Sequence, residues 1–255
     1  MGRVLAVVSQ KGGVGKTTTV VNLAAAFARQ GMRATIVDVD PQGAVRYGLG
    51  LRPLAPYPGI ADYLAGTHPL EAILHPTALP WLRVVLAGSV TAGGDHSAYL
   101  RQLSEGYRLT ELLGALAQRS DVVLVDTPPG LGGVVRRVLE ASGHVLVPLQ
   151  CEPLALQTTP QILRGIQEVS AMNAELTLDG ILLTMYDEQS ALSTRVAEYV
   201  REHLPPDLVL DTVIPRSAGS VEAFAAGQPL VLRDPSDPAA EAYTALASTL
   251  AERFR

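Results

Sequence analysis

Residues 10–18 read Gln10-Lys11-Gly12-Gly13-Val14-Gly15-Lys16-Thr17-Thr18, a string whose parts all suit phosphate chemistry. Glycines let backbone N–H groups turn inward around phosphate oxygens, and a helix opening directly after them adds a positive field. Lys16 is placed to reach β- and γ-phosphates, and the Thr17 hydroxyl to ligate Mg2+. Composition isolates the same residues. Lys11 and Lys16 are the only lysines in the chain, and the other eighteen cationic side chains are arginine. An ammonium is a compact charge that fits inside a closed loop, where the broad guanidinium fork does not.

The elements that position this loop are legible as alternating patterns. Val4–Val8, Ala34–Val39, Leu82–Leu86, Val122–Val125, Val145–Leu149, Ile181–Met185 and Leu208–Val213 read as about seven strands. Val20, Leu23, Ala24, Phe27 and Ala28 recur at helical spacing, with Gly31 as a C-terminal cap, so the loop sits inside a βαβ unit. Further helices are expected at Ala98–Gln118, Val134–Ala141, Thr159–Asn173, Thr194–His203 and Ala239–Phe254. The fold class is therefore α/β, a doubly wound, mainly parallel sheet with helices on both faces, and ligand is expected at the carboxyl ends of the strands. The proline-rich stretch 52–80, with short apolar helical pieces at Ile60–Leu64 and Leu70–Leu74, reads as an irregular excursion, and residues 1–255 as one domain.

Whole-chain properties exclude several classes. A single cysteine, Cys151, rules out an internal disulfide and an iron–sulfur or structural zinc site built on cysteines, and fits a reducing cytoplasm. The five histidines have no metal-ligand spacing. The opening run Val4–Val8 is too short for a membrane span and lacks a signal-peptide cleavage site, and Ala6 stands where a myristoylation motif needs Ser or Thr. A net charge of −5 argues against a monomer that coats nucleic acid, and leaves open a basic face on an assembled dimer.

The loop departs from G-x-x-x-x-G-K-T, because Gln10 stands where glycine is required. In this form it resembles the deviant Walker A loop of the ParA/Soj/MinD family, and the resemblance continues through most of the chain. The family implies an Mg-dependent, P-loop ATPase that works as an ATP-bound sandwich dimer, with Lys11 crossing the interface to the partner's nucleotide. Val37-Asp38-Val39-Asp40-Pro41-Gln42-Gly43 resembles switch I, in which the residue matching Asp40 positions the attacking water, a task that needs an acceptor near the γ-phosphate. Asp38 is a second acid there, a candidate near the metal or a strand-end turn residue. Val122-Val123-Leu124-Val125-Asp126-Thr127-Pro128-Pro129 resembles Walker B and switch II, where Asp126 holds a water on Mg2+ or the Thr17 hydroxyl. Relatives usually carry Ser after the two prolines, and Gly130 stands here.

Thr184-Met185-Tyr186-Asp187 and Ile214-Pro215-Arg216 resemble the segments that frame adenine, with Ser217 where Asn is often found. The nucleotide set is thus Gly12, Gly13, Val14, Gly15, Lys16, Thr17, Thr18, Met185, Pro215 and Ser217. Glu152 resembles a cross-dimer contact position or is a loop acid. The chain begins at its first strand, without the helix-turn-helix extension of plasmid-type relatives, and is most similar to the short Soj-like branch. That branch implies nonspecific DNA binding by the ATP dimer, release by a ParB-like stimulating protein, a role in chromosome or plasmid segregation, and a cytoplasmic, nucleoid-associated location. Two arginines that relatives use for DNA fall on Gln189 and Gly219, while Arg195, Arg201, Arg216 and Arg233 lie nearby as alternatives or as ordinary solvated cations. A MinD-like membrane cycle would need a basic amphipathic tail, and the end at Glu252-Arg253-Phe254-Arg255 provides no membrane anchor. A metabolic ligase of the dethiobiotin-synthetase kind is the rival from another class, separated by whether ATP turns over without a carboxylate substrate.

Overall fold

Alternating apolar residues build a sheet with two covered faces. In the computed structural model, which describes residues 2–51, 57–88 and 96–254, the eight strands are β1 (Arg3–Val7), β2 (Ala34–Asp38), β3 (His75–Pro76), β4 (Leu82–Val85), β5 (Val122–Asp126), β6 (His144–Gln150), β7 (Thr177–Tyr186) and β8 (Val209–Pro215). Their order is β3-β4-β2-β5-β1-β6-β7-β8. Every pairing is parallel except β3 with β4. In β5, Val123 and Val125 enter one core while Val122 and Leu124 enter the other, as the two-residue period of a strand requires.

Helices α1 (Lys16–Arg29), α10 (Ala218–Ala225), α11 (Leu230–Arg233) and α12 (Pro238–Arg253) cover one face. The other carries α3 (Ile60–Leu64), α4 (Leu70–Ile73), α5 (His96–Glu105), α6 (Arg108–Arg119), α7 (Gly133–Glu140), α8 (Pro153–Ser170) and α9 (Ala191–His203). A short α2 (Val45–Gly48) follows the second strand.

Three expectations change. There are eight strands, because His75–Pro76 adds an antiparallel edge pair with Val84 and Arg83; two residues are too few to leave a period. The helix expected over Ala98–Gln118 is two helices, broken at Gly106-Tyr107. The helix expected from Thr159 starts six residues earlier at Pro153, with Glu152 as its N-cap residue, and runs through Pro160. Proline is a boundary signal because it lacks an N–H. Here the Thr158 and Thr159 hydroxyls donate to carbonyls of the preceding turn, Thr159 to Ala155 O at 2.7 Å. Of the 52–80 excursion, residues 52–56 lie outside the described residues.

Candidate functional site

The loop of residues 9–15 leaves the carboxyl end of β1 at the centre of the sheet and enters α1. Gly13 and Gly15 have φ of 80° and 91°, the left-handed region that glycine alone adopts freely. Gly15 is also the N-cap residue of α1 and supplies no side chain to it, so the first-turn N–H groups point out uncapped. A Cβ at Gly12 or Gly13 would meet nothing of this chain within 4 Å. Packing does not demand these glycines, and both are exposed, so the space over them is open.

Lys16 is buried, and its Nζ donates to Ser9 Oγ at 3.0 Å; Ser9 Oγ in turn donates to Lys11 O at 2.7 Å. Burial lowers the Lys16 pKa, opposed by the charges of Asp126 and Asp40. Ser9 was not visible as a site residue in the sequence, where it is only the polar residue ending an apolar strand.

Strand register assembles the acids. Asp38 and Asp126 are paired neighbours at the carboxyl ends of β2 and β5, and Val7 of β1 is the other neighbour of Asp126. Thr17 Oγ1 donates to Asp126 Oδ2 at 2.7 Å, while Asp126 Oδ1 is buried with no hydrogen-bond partner. Burial pushes the Asp126 carboxyl up to about 7, with the Thr17 hydroxyl and Lys16 pulling the other way. Asp38 is fully buried and its two oxygens accept backbone N–H groups, Oδ1 from Asp40 at 3.2 Å and Oδ2 from Val45 at 3.3 Å. Its carboxyl is held well above the usual range by burial, then by Asp126 and Asp40. Asp38 thus organises the backbone between residues 40 and 45. Asp40 lies beyond the strand end, where its Oδ1 accepts the Gln42 N–H at 2.9 Å.

Lys11 forms an ion pair with Glu152 of the same chain. Both side chains are about one-third exposed, at 37% and 30%. Lys11, which the family resemblance places across a dimer interface, and Glu152, a cross-dimer position or a loop acid, are therefore held together within one chain.

Beside Gly15 and Thr18 opens a cleft of about 400 Å³ that contains Met185, Pro215 and Ser217. Val221, Phe224 and Tyr243 complete its apolar wall and were missed, since α10 and α12 reach it only through tertiary packing. Met185, with φ of 51°, is the only non-glycine residue with positive φ among the described residues. Ser217 Oγ is already engaged, accepting the Ser220 N–H at 3.1 Å and donating to Asp237 Oδ2 at 2.7 Å.

Arg195, Arg201, Arg216 and Arg233 are all exposed. Gln189 and Gly219 share one surface depression with Arg216, Asp187, Glu188 and Asp237. Position 219 is closed to a side chain in this arrangement, because a Cβ there would lie 2.7 Å from Asp237 Oδ2.

Comparison with known proteins places this geometry. A family described as an AAA domain matches residues 2–178. The chain is 37% identical over 254 residues to the chromosome partitioning protein ParA of Myxococcus xanthus, covering 99% of this chain and 89% of that protein. It is 37% identical over 252 residues to the sporulation initiation inhibitor protein Soj of Bacillus subtilis, covering 98% and 99%. Among solved structures, a cobyrinic acid a,c-diamide synthase from Mycobacterium smegmatis, with bound ATP analog and magnesium, superposes with a TM-score of 0.82 at 34% identity, covering 100% of this chain and 96% of that one.

Proposed function

The chain belongs to the ParA/Soj family of P-loop ATPases, and on that premise we propose that it is an Mg-dependent ATPase that closes into a face-to-face dimer around ATP. In that state it binds DNA without sequence preference, and a ParB-like partner stimulates hydrolysis and release, in the service of chromosome or plasmid segregation.

One observation carries the nucleotide part of this reading. A buried lysine, an uncapped helix N-terminus and open space over two glycines converge beside a buried carboxylate oxygen with no partner. An unpaired buried acceptor is costly, and it persists where a ligand completes it. These residues fit ATP with Mg2+: Lys16 and the first-turn N–H groups would hold phosphate oxygens, and Thr17 with Asp126 would hold the metal and its water. Bound Mg2+ supplies charge neutralisation on the phosphates. Asp40 supplies the acceptor that orients water, and among the described residues its carboxylate accepts the local Gln42 N–H.

Two variants test this. Lys16→Ala removes the charge facing the phosphates and should abolish ATP binding in calorimetry; unchanged affinity would remove the assignment. Asp40→Ala should bind ATP and stall as a dimer with turnover lowered by about a hundredfold, as loss of a positioned acid–base group does. The likeness to the diamide synthase favours a second reading, a ligase that consumes ATP only with a carboxylate co-substrate. Phosphate release from ATP and Mg2+ alone separates the two.

A further inference from the structure

The loop after Asp126 ends in Gly130-Leu131-Gly132-Gly133, where only Leu131 carries a side chain. Gly130 has φ of 88° and donates its N–H to Ser9 O at 2.9 Å, touching the serine that holds Lys16. Leu131 reaches the other way, onto α8. A Cβ built on Gly165 would lie 2.3 Å from Leu131 Cδ1 and 3.4 Å from Leu131 Cγ. The leucine therefore occupies a notch that exists only because residue 165 has no side chain.

Gly165 is buried within an 18-residue helix. Its backbone does not require glycine, because its φ is not left-handed. Glycine in a helix interior costs about 1 kcal/mol relative to alanine. Leu131 is what the missing methyl accommodates. The same helix has Glu152, the partner of Lys11, as its N-cap residue, so its length connects the first lysine of the phosphate loop to the anchor of the loop after Asp126.

We propose that Leu131, seated against Gly165, is a positioning residue for ATP hydrolysis, holding the 127–133 loop so that the Gly130 N–H stays on Ser9. The inference rests on the ATPase reading above and adds to it a residue pair that touches no nucleotide. Packed elements with two discrete arrangements are what transmit such effects.

The test uses Gly165→Ala, whose methyl displaces the flexible end of Leu131 while favouring the helix. ATP affinity should stay within about twofold, while kcat falls about tenfold or more through misplacement of the loop. Independently of turnover, amide exchange at Gly130 in the nucleotide-free protein should accelerate about tenfold as the hydrogen bond to Ser9 opens. Combining Gly165→Ala with Leu131→Val shortens the side chain so that its methyls end near the present Cγ position, at ordinary contact distance. Both readouts should then return to within about threefold of the parent, as volume-conserving swaps allow. Parent-like kcat and parent-like Gly130 exchange in Gly165→Ala, or a double variant no better than the single one, would overturn the proposal. If the parent chain itself fails to hydrolyse ATP, the ATPase reading falls, and Gly130 exchange still decides whether Leu131 anchors the loop.

Discussion

The ion pair between Lys11 and Glu152 sets a competition at the level of single residues. Lys11 cannot reach a partner's phosphates while Glu152 of its own chain holds it. A partly exposed pair is worth at most about 1 kcal/mol. Glu152→Gln should therefore strengthen ATP-dependent dimerisation by up to about thirtyfold, counted over two pairs per dimer. Light scattering over a concentration series, in the Asp40→Ala background, reads this directly. A weaker dimer would instead assign Glu152 to the cross-subunit contact. Asp126 makes a second prediction. Its folded pKa, about 7, lies above the ordinary 3.8, so between these values the folded chain holds a proton that the unfolded chain has lost. Its contribution to stability is present below pH 4 and is lost as pH rises through 7. The nucleotide-free protein should melt at lower temperature at pH 8 than at pH 6, and Asp126→Asn should flatten that slope; an unchanged slope would place the titration elsewhere. Cys151, buried with its thiol pushed up to about 11, has only about one thiolate in a thousand at pH 8. Thiol reagents should label it on unfolding and not before.

Among the elements, the excursion after β2 meets the sheet at close backbone range beside Gly59, where the Ile60 and Ala61 N–H groups donate to Leu86 O and Ala87 O. Gly59 precedes α3, and a Cβ there would lie 2.2 Å from Leu86 O and 2.5 Å from Gly88 N. Both are backbone atoms that cannot rotate aside. Gly59→Ala should destabilise the fold by about 2–3 kcal/mol, as overpacking against rigid neighbours does. Chemical denaturation checks this, and a loss below 1 kcal/mol would mean that the excursion moves as a unit. α5 holds a contrasting case. The Tyr99 hydroxyl is buried without a hydrogen-bond partner, and burial, with Asp38 and Asp40, raises its pKa well above 10. Removing such a group relieves an unmet desolvation cost, so Tyr99→Phe should be neutral or stabilising. Ser217 and Asp237 cap α10 and α12 and bond to each other, tying both helices to the rim of the cleft.

At the scale of the molecule, the proposed DNA binding must arise from a face that is not strongly basic, on a chain of net charge −5. Arg195, Arg201, Arg216 and Arg233 are exposed, while Asp187, Glu188 and Asp237 surround Gln189 and Gly219. Each phosphate that these arginines neutralise adds to the salt dependence. The slope of log affinity against log salt should be about −0.9 for each phosphate neutralised, so each Arg→Ala change, present twice in the dimer, should weaken binding uniformly across sequences and reduce the slope by about two. Filter binding with ATP, ADP and no nucleotide tests this, and absence of ATP-dependent binding at low salt would redirect the reading to a protein cargo. Gly219→Arg should not simply restore a relative-like surface, since it must first displace Asp237 from Ser217.

The phosphate loop, the seven longer strands and the acids at their ends were legible in the sequence because they depend on local rules. A two-residue period marks strands, glycine at positive φ marks the loop, and a carboxylate after an apolar strand marks its functional end. Chain-distant partners were not legible. Glu152 on Lys11 and Leu131 in the Gly165 notch join residues that no spacing connects, while Ser9 under Lys16 and the Asp38 carboxylate on the Asp40 and Val45 amides lie within seven residues and depend on side-chain directions that no period reports. Which side chains meet is decided by strand order and helix packing, long-range choices made by burial of two cores. Sequence period reports only which face of an element is apolar, and the tertiary structure decides what that face, and the polar groups at its rim, lie against.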